Sequence, residues 1–239
     1  MWSSGRSEAL TLDPELPVPI EIRPIRNARR LRLRFDEASG TLKLTCPWRT
    51  SRRSALAWAL DQRTWIETQL ARAGAAEPFA DGASIPIEGH EVRIAWSTSA
   101  PRTPSLIGDE LLVGGPIEGL SGRIERFLKA HALKTMSAEV AEYAAMADVM
   151  ASSVSVGDPA SRWGSCSSSN AIRLSWRLIL AAPPARRYVV AHEVAHLRHL
   201  NHGPEFKALE ARLFGTGLSE AKAILRRDGP RLRRIGRRV

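Results

Sequence analysis

The segment HEVAHLRHLNHGPEF, residues 192–206, holds four of the chain's six histidines. Its first five residues set His192 and His196 four apart, which on an α-helix is about one turn and nearly one face. Two imidazoles so placed can grip one zinc ion, and the carboxylate of Glu193 then lies beside the water on the metal. A fold built around this segment has to supply a helix and then a reversal of the chain. Pro183 and Pro184 suit the start of that helix, because a proline at the first helical position gives up only an amide that has no partner there. Tyr188, Val189, Ala191, Val194, Ala195 and Leu197 offer apolar contacts almost all round, the pattern of a buried helix. Asn201 and Gly203 are expected to stop it, and Pro204 to begin the next element.

A catalytic zinc takes three protein ligands and keeps one position open. His199 and His202 compete for the third place. His199 lies about 10 Å beyond His192 along a continuous helix, at roughly 1.5 Å per residue, and reaches the ion only if the helix breaks early. His202 sits where the chain can turn back and approach from another direction. The expected ligands of Zn2+ are therefore His192, His196 and His202, with Glu193 as the catalytic base. Glu205, Glu210 and Glu220 are weaker candidates, since carboxylates also bind zinc. His131 has no such company and is expected to be packed or capped.

Three stretches, RWGSCSSSNAIRLSWRLI (162–179), HEVAHLRHLNH (192–202) and GPEF (203–206), resemble the YgjP-like family of zinc metallopeptidases, related to the SprT-like and WLM proteases. The pattern of that family is HExxH, five residues, then His. His192, His196 and His202 fall on its ligand positions and Glu193 on its catalytic one. The metzincin pattern shares the histidine spacing but has glycine where this chain has His199. More loosely the resemblance spans residues 20–215, since the family has a basic, β-rich amino-terminal segment.

The implied fold is α+β: a β-rich amino-terminal half with a helix, then a zincin-like metallopeptidase half carrying the HExxH helix. The implied function is zinc-dependent hydrolysis of peptide bonds by a Glu-activated, zinc-bound water. In the resembling families an extended peptide or protein substrate pairs with the strand before the active-site helix, here expected at residues 171–176. Two further activities are implied. One is a metal-dependent nucleotide (UTP) pyrophosphatase, with Arg162, Arg173, Arg177 and Arg198 around the triphosphate. The other is a DNA-associated SprT-like protease. The chain has no P-loop, and three histidines with a glutamate suit zinc hydrolysis of a carbonyl better than a carboxylate-rich magnesium site. A purely structural zinc is opposed by Glu193 and by the open position that a three-histidine set leaves.

The net charge of +10 raises nucleic acid as a partner, yet thirty of the thirty-five basic residues are arginine, as a compositional bias would also give. RPIRNARRLRLR, 23–34, alternates basic and apolar residues, as a half-buried strand with a basic outer face does. RRDGPRLRRIGRRV, 226–239, is expected to be a fraying basic tail. Both read more readily as solvated surface than as a dedicated nucleic-acid site. No run of eighteen apolar residues exists, so no membrane span is expected. The first residues lack the pattern of a signal peptide. Cys46 and Cys166 form no CxxC pair, and a cytoplasmic location is the default.

Length allows one large domain or two small ones. The expected divisions are a flexible arm at 1–19, a β-rich segment at 20–118, a zincin-like segment at 119–225 and the basic tail at 226–239. RLRLRF and TLKLTC flank DEASG as a hairpin; two more turn at Glu88-Gly89 and Gly108-Asp109. One helix is expected from a cap at Thr50 or Ser51 to about Arg72, with Leu56, Leu60, Trp65, Ile66 and Leu70 near its apolar side. A second runs from about Ser121 to Ala147, with Ile124, Leu128, Met136, Val140 and Tyr143 inside. SSVSVGD and NAIRLSW read as strands separated by the Gly- and Ser-rich RWGSCSSS. Arg162 or Arg173 is a candidate for holding an oxyanion or anion, Trp163 for filling the core, and Cys166 for a small buried thiol. The oligomeric state is not legible.

Overall fold

The computed structural model describes residues 13–36, 40–159 and 162–237. Residues 1–12 of the expected arm, three residues of the DEASG turn and the last two of the basic tail lie outside them. The chain folds as two compact units, Met1–Ala75 and Ala76–Val239.

In the first unit, β1 (Ile20–Ile25), β2 (Arg32–Asp36) and β3 (Thr41–Pro47) form a sheet in the order β1-β3-β2. The expected hairpin is the antiparallel pair β2–β3, while β1 joins β3 in parallel. Alternation does what it predicts: Ile20, Ile22, Leu42, Leu44 and Cys46 face the core, and Arg23, Arg32, Arg34 and Lys43 face outward around a cavity of about 360 Å3. Leu16 is buried against the same core, so the described part of the arm is packed rather than loose. The expected single helix is two, α1 (Arg52–Asp61) and α2 (Arg63–Ala73). Ser51 caps the first by accepting from the Ser54 amide. At Gln62 the backbone hydrogen bond shifts to Ala59, three residues back, and no Gly or Pro announces the break. Trp65 consequently lies at the surface, while Ile66 is buried.

The second unit begins with β4 (Ser84–Ile87), β5 (His90–Trp96), β6 (Ser105–Ile107) and β7 (Glu110–Val113), in the order β4-β5-β7-β6. Both expected hairpins form. These strands therefore belong with the helices that follow, not with the first sheet. The turn Glu88-Gly89 has φ of 52° and 81°, the geometry a two-residue hairpin requires. Its tip docks on the connection before the HExxH helix: the Glu88 amide donates to the Ile179 carbonyl at 2.7 Å, and a Cβ on Gly89 would meet Ala182 Cα at 2.8 Å.

Helix α3 (Leu120–Ala147) buries all five expected core residues, and His131 is capped by Glu88 at 2.9 Å. Next come β8 (Ser153–Gly157), β9 (Gly164–Cys166) and β10 (Ala171–Ser175), then a buried 3-10 turn, Trp176–Leu180. Helices α4 (Pro183–His196), α5 (Pro204–Phe214) and α6 (Leu218–Leu232) complete the unit. The Gly- and Ser-rich RWGSCSSS between the two expected strands itself contributes β9, which pairs antiparallel with β10. The expected fraying tail is docked: Leu232 and Ile235 are buried, Arg231 pairs with Glu77 and Glu91, and buried Arg177 donates to the carbonyls of Leu232 and Ile235. No helix among the described residues is long and apolar enough to cross a membrane.

Candidate metal centre

Helix α4 is held at its start by buried charge. Arg186 bonds Glu139 of α3 at 2.9 Å, and Glu88 at the hairpin tip approaches it at 3.5 Å. From there Val189, Val190, Ala191, Val194 and Ala195 fill the core, leaving His192 and His196 half-buried on one face. The helix ends at His196, well before the expected stop at Asn201–Gly203. The His199 amide still bonds the Ala195 carbonyl, but the chain has turned, and the His199 carbonyl accepts from His196 Nδ1 at 3.0 Å. Early breaking was the condition under which His199 could compete as a ligand. Its ring instead faces Glu205, at 3.5 Å.

The ligand atoms of His192, His196 and His202 all lie within 4.8 Å of one another, and the Nε2 atoms of His192 and His202 are 3.2 Å apart. Each outer nitrogen of the helical pair is already engaged. His192 Nδ1 donates to Glu210 Oε1 at 2.7 Å, and His196 Nδ1 to the His199 carbonyl, so both turn Nε2 inward. Phe206 of the GPEF stretch lies under the cluster, its ring 4.5–5.0 Å from all three imidazoles. Glu205 and Glu220 are exposed, and neither joins the set. Glu210 sits behind His192, between it and Lys222 Nζ at 3.0 Å. Burial alone raises its carboxyl, but the hydrogen bonds from His192 and Lys222 together hold it below the usual range. Burial lowers His196 from the ordinary histidine value, a shift toward the neutral form that binds metals. Sequence reasoning missed the places of Glu210 and Phe206. Phe206 stood in a quoted motif, whereas Glu210 had no local signal beyond its acid.

Glu193 is buried against β9, where a Cβ on Gly164 would fall 2.5 Å from its Oε1. Burial pushes its carboxyl up to about 7, against the pull of His192 and Arg162. Cys166 lies within electrostatic reach of Glu193, but burial and that carboxylate raise its thiol, away from the thiolate a metal binds. Trp163 stacks under Arg233 at 4.1 Å and touches Gly229 of α6. The four arginines suggested for a triphosphate are not gathered. Arg177 is buried on Asp158, Arg198 bonds the Ala147 carbonyl, and Arg173 points to the sheet face opposite Ile172 and Leu174; only Arg162 acts on Glu193. Nor can residues 171–176 pair with a substrate, because β10 is the middle strand, with β8 on one side and β9 on the other. Among the described residues β9 is the edge strand facing α4.

No curated protein and no solved structure matches the chain. The family model of the YgjP-like metallopeptidase domain matches residues 29–228, which takes in β2, β3 and the histidine cluster. The chain therefore belongs to the YgjP-like family of metallopeptidase domains.

Proposed function

We propose that the protein is a zinc-dependent peptidase in which His192, His196 and His202 hold the ion and Glu193 is the general base. The observation that carries this reading is the convergence of three imidazoles, two of them locked in the Nδ1–H form, beside a buried carboxylate. The donor set is all nitrogen, which suits zinc and does not suit magnesium or calcium. A bound zinc ion supplies a Lewis acid for the scissile carbonyl and lowers the pKa of water.

The chain's own groups do the rest. Glu193 takes a proton from the attacking water and returns it to the leaving amine. Its burial under Gly164 fixes the carboxylate's position and leaves it with few competing partners. The free edge of β9 accepts an extended peptide by main-chain hydrogen bonds, which lays the scissile bond along the mouth of the site. Both cysteines are free thiols, which fits a reducing, cytoplasmic setting.

The test compares zinc-loaded wild type with Glu193→Gln on an unbiased peptide mixture, read by mass spectrometry alongside metal analysis. Cleavage by wild type alone is expected. Cleavage by neither, with zinc bound at one per chain, rejects the reading.

A further inference from the structure

Beside the three histidines lies a cavity of about 340 Å3 whose walls come from α4, α5, α6 and the loop that carries His202. His192 and His202 line it; His196 and Glu193 do not. It therefore lies to one flank of the cluster, within reach of a group adjoining a bond hydrolysed there. Tyr188, one turn before His192, and Leu218, at the start of α6, make parts of its wall apolar.

The charges on that wall are not balanced. Lys222 is held over the Tyr188 ring, 5.0 Å from its centroid, and its ammonium is spent on Glu210. Glu210 spends its other oxygen on His192. That pair is neutral. Lys207 lies three residues before Glu210 on the same side of α5, and among the described residues it makes no ion pair. A lysine on an exposed helix needs no ligand. Lys207 differs in sharing a cavity wall with two of the clustered histidines, where a bound peptide would strip water from its ammonium.

We infer that this cavity receives a carboxylate of the peptide, from an Asp or Glu side chain or from its C-terminus beside the cleaved bond, with Lys207 as the charge partner. The inference rests on the peptidase reading above. A carboxylate answers the unpaired ammonium with a charge-assisted hydrogen bond. An amide of the same shape gives up that charge. A basic side chain meets Lys207 as a like charge, and an apolar one leaves Lys207 desolvated without a partner. Lys207 acts as a specificity-determining residue and takes no part in the bond chemistry.

The experiment measures peptide binding by fluorescence anisotropy to the zinc-loaded, full-length Glu193→Gln protein. The peptides are short and identical except for Glu, Gln or Lys at each position in turn, each made as the free acid and as the C-terminal amide. Glu is expected to bind about tenfold tighter than Gln at one position, as a hydrogen bond to a charged group allows, with Lys weakest. If the terminal carboxylate is the source, amidation weakens binding by that factor and the internal residue does not matter. Lys207→Glu, a change on an exposed helix face, should reverse either order. Equal binding of Glu and Gln together with acid and amide, or a ranking unmoved by Lys207→Glu, overturns the inference. Wild type that cleaves peptides without preference for a neighbouring carboxylate overturns it alone. Failure of every peptide to bind, with no cleavage by wild type, overturns the peptidase reading with it.

Discussion

A Cβ added to Gly164 would fall 2.5 Å from Oε1 of Glu193 and 2.6 Å from its Cγ. The edge strand and the glutamate of HExxH are thus in contact with no room for a methyl group. Gly164→Ala should push the carboxylate aside, because β9 is tied to β10 and cannot retreat far. Peptidase activity is expected to fall by about two orders of magnitude, the effect of misplacing a reacting group by roughly 1 Å. Overpacking should cost about 1–3 kcal/mol of stability. Zinc content should stay at one per chain, since the group that the methyl meets first is Glu193 and not one of the three histidines. Kinetics with metal analysis and a urea titration read the three together; full activity in the alanine variant would contradict the placement of Glu193.

Much of this arrangement was legible in the sequence. Helical spacing pairs His192 with His196, but the reversal that delivers His202 begins after His196 and not at the expected stop, Asn201–Gly203. Alternation located both hairpins and the basic face of the first sheet. What stayed hidden was tertiary. Gly164 to Cys166 is too short and too polar to show a strand's alternation, and its pairing with β10 is seen only once the sheet is assembled. The helix break after His196 is set by the His199 carbonyl folding back on His196, a contact that periodicity does not encode. Arg231, Leu232 and Ile235 read as a charged tail because their partners, Glu77, Glu91 and Arg177, lie far back along the chain.

His199 contributes its backbone and not its ring. His199→Ala keeps the carbonyl that accepts from His196 Nδ1, so zinc should bind with nearly unchanged affinity. His202→Ala removes one of three converging nitrogens and should leave the protein metal-poor at zinc levels that saturate the wild type. Competition with a chromophoric chelator separates the two. Loss of zinc from His199→Ala with retention in His202→Ala would reassign the third ligand.

Glu210 fixes the ring of His192 from behind while Lys222 fixes Glu210. Removing such a partner of a metal-binding histidine typically costs about 10–100-fold in metal affinity. Glu210→Ala is expected to lie in that range. Glu210→Gln should fall between it and wild type, because its amide oxygen still accepts from Nδ1. Equal affinities for all three proteins in the chelator competition would show that the ring is held by packing on Phe206 and Tyr188 instead.

The start of the HExxH helix depends on one buried pair. Arg186 is 3% exposed and Glu139 6%, and they meet at 2.9 Å with Glu88 at 3.5 Å on the far side of the guanidinium. Removing Arg186 strands buried Glu139, and removing Glu139 leaves the guanidinium only the longer contact to Glu88; breaking such a buried pair costs about 3–5 kcal/mol. Glu139→Ala should therefore lower the urea midpoint strongly. Arg186→Met with Glu139→Leu removes both charges and should recover most of the loss, since a buried ion pair stabilises little beyond an apolar pair of its size. If the single and double variants unfold at the same midpoint, the cost lies in the cavity and not in the unpaired charge, and the position of α4 rests on its apolar face alone.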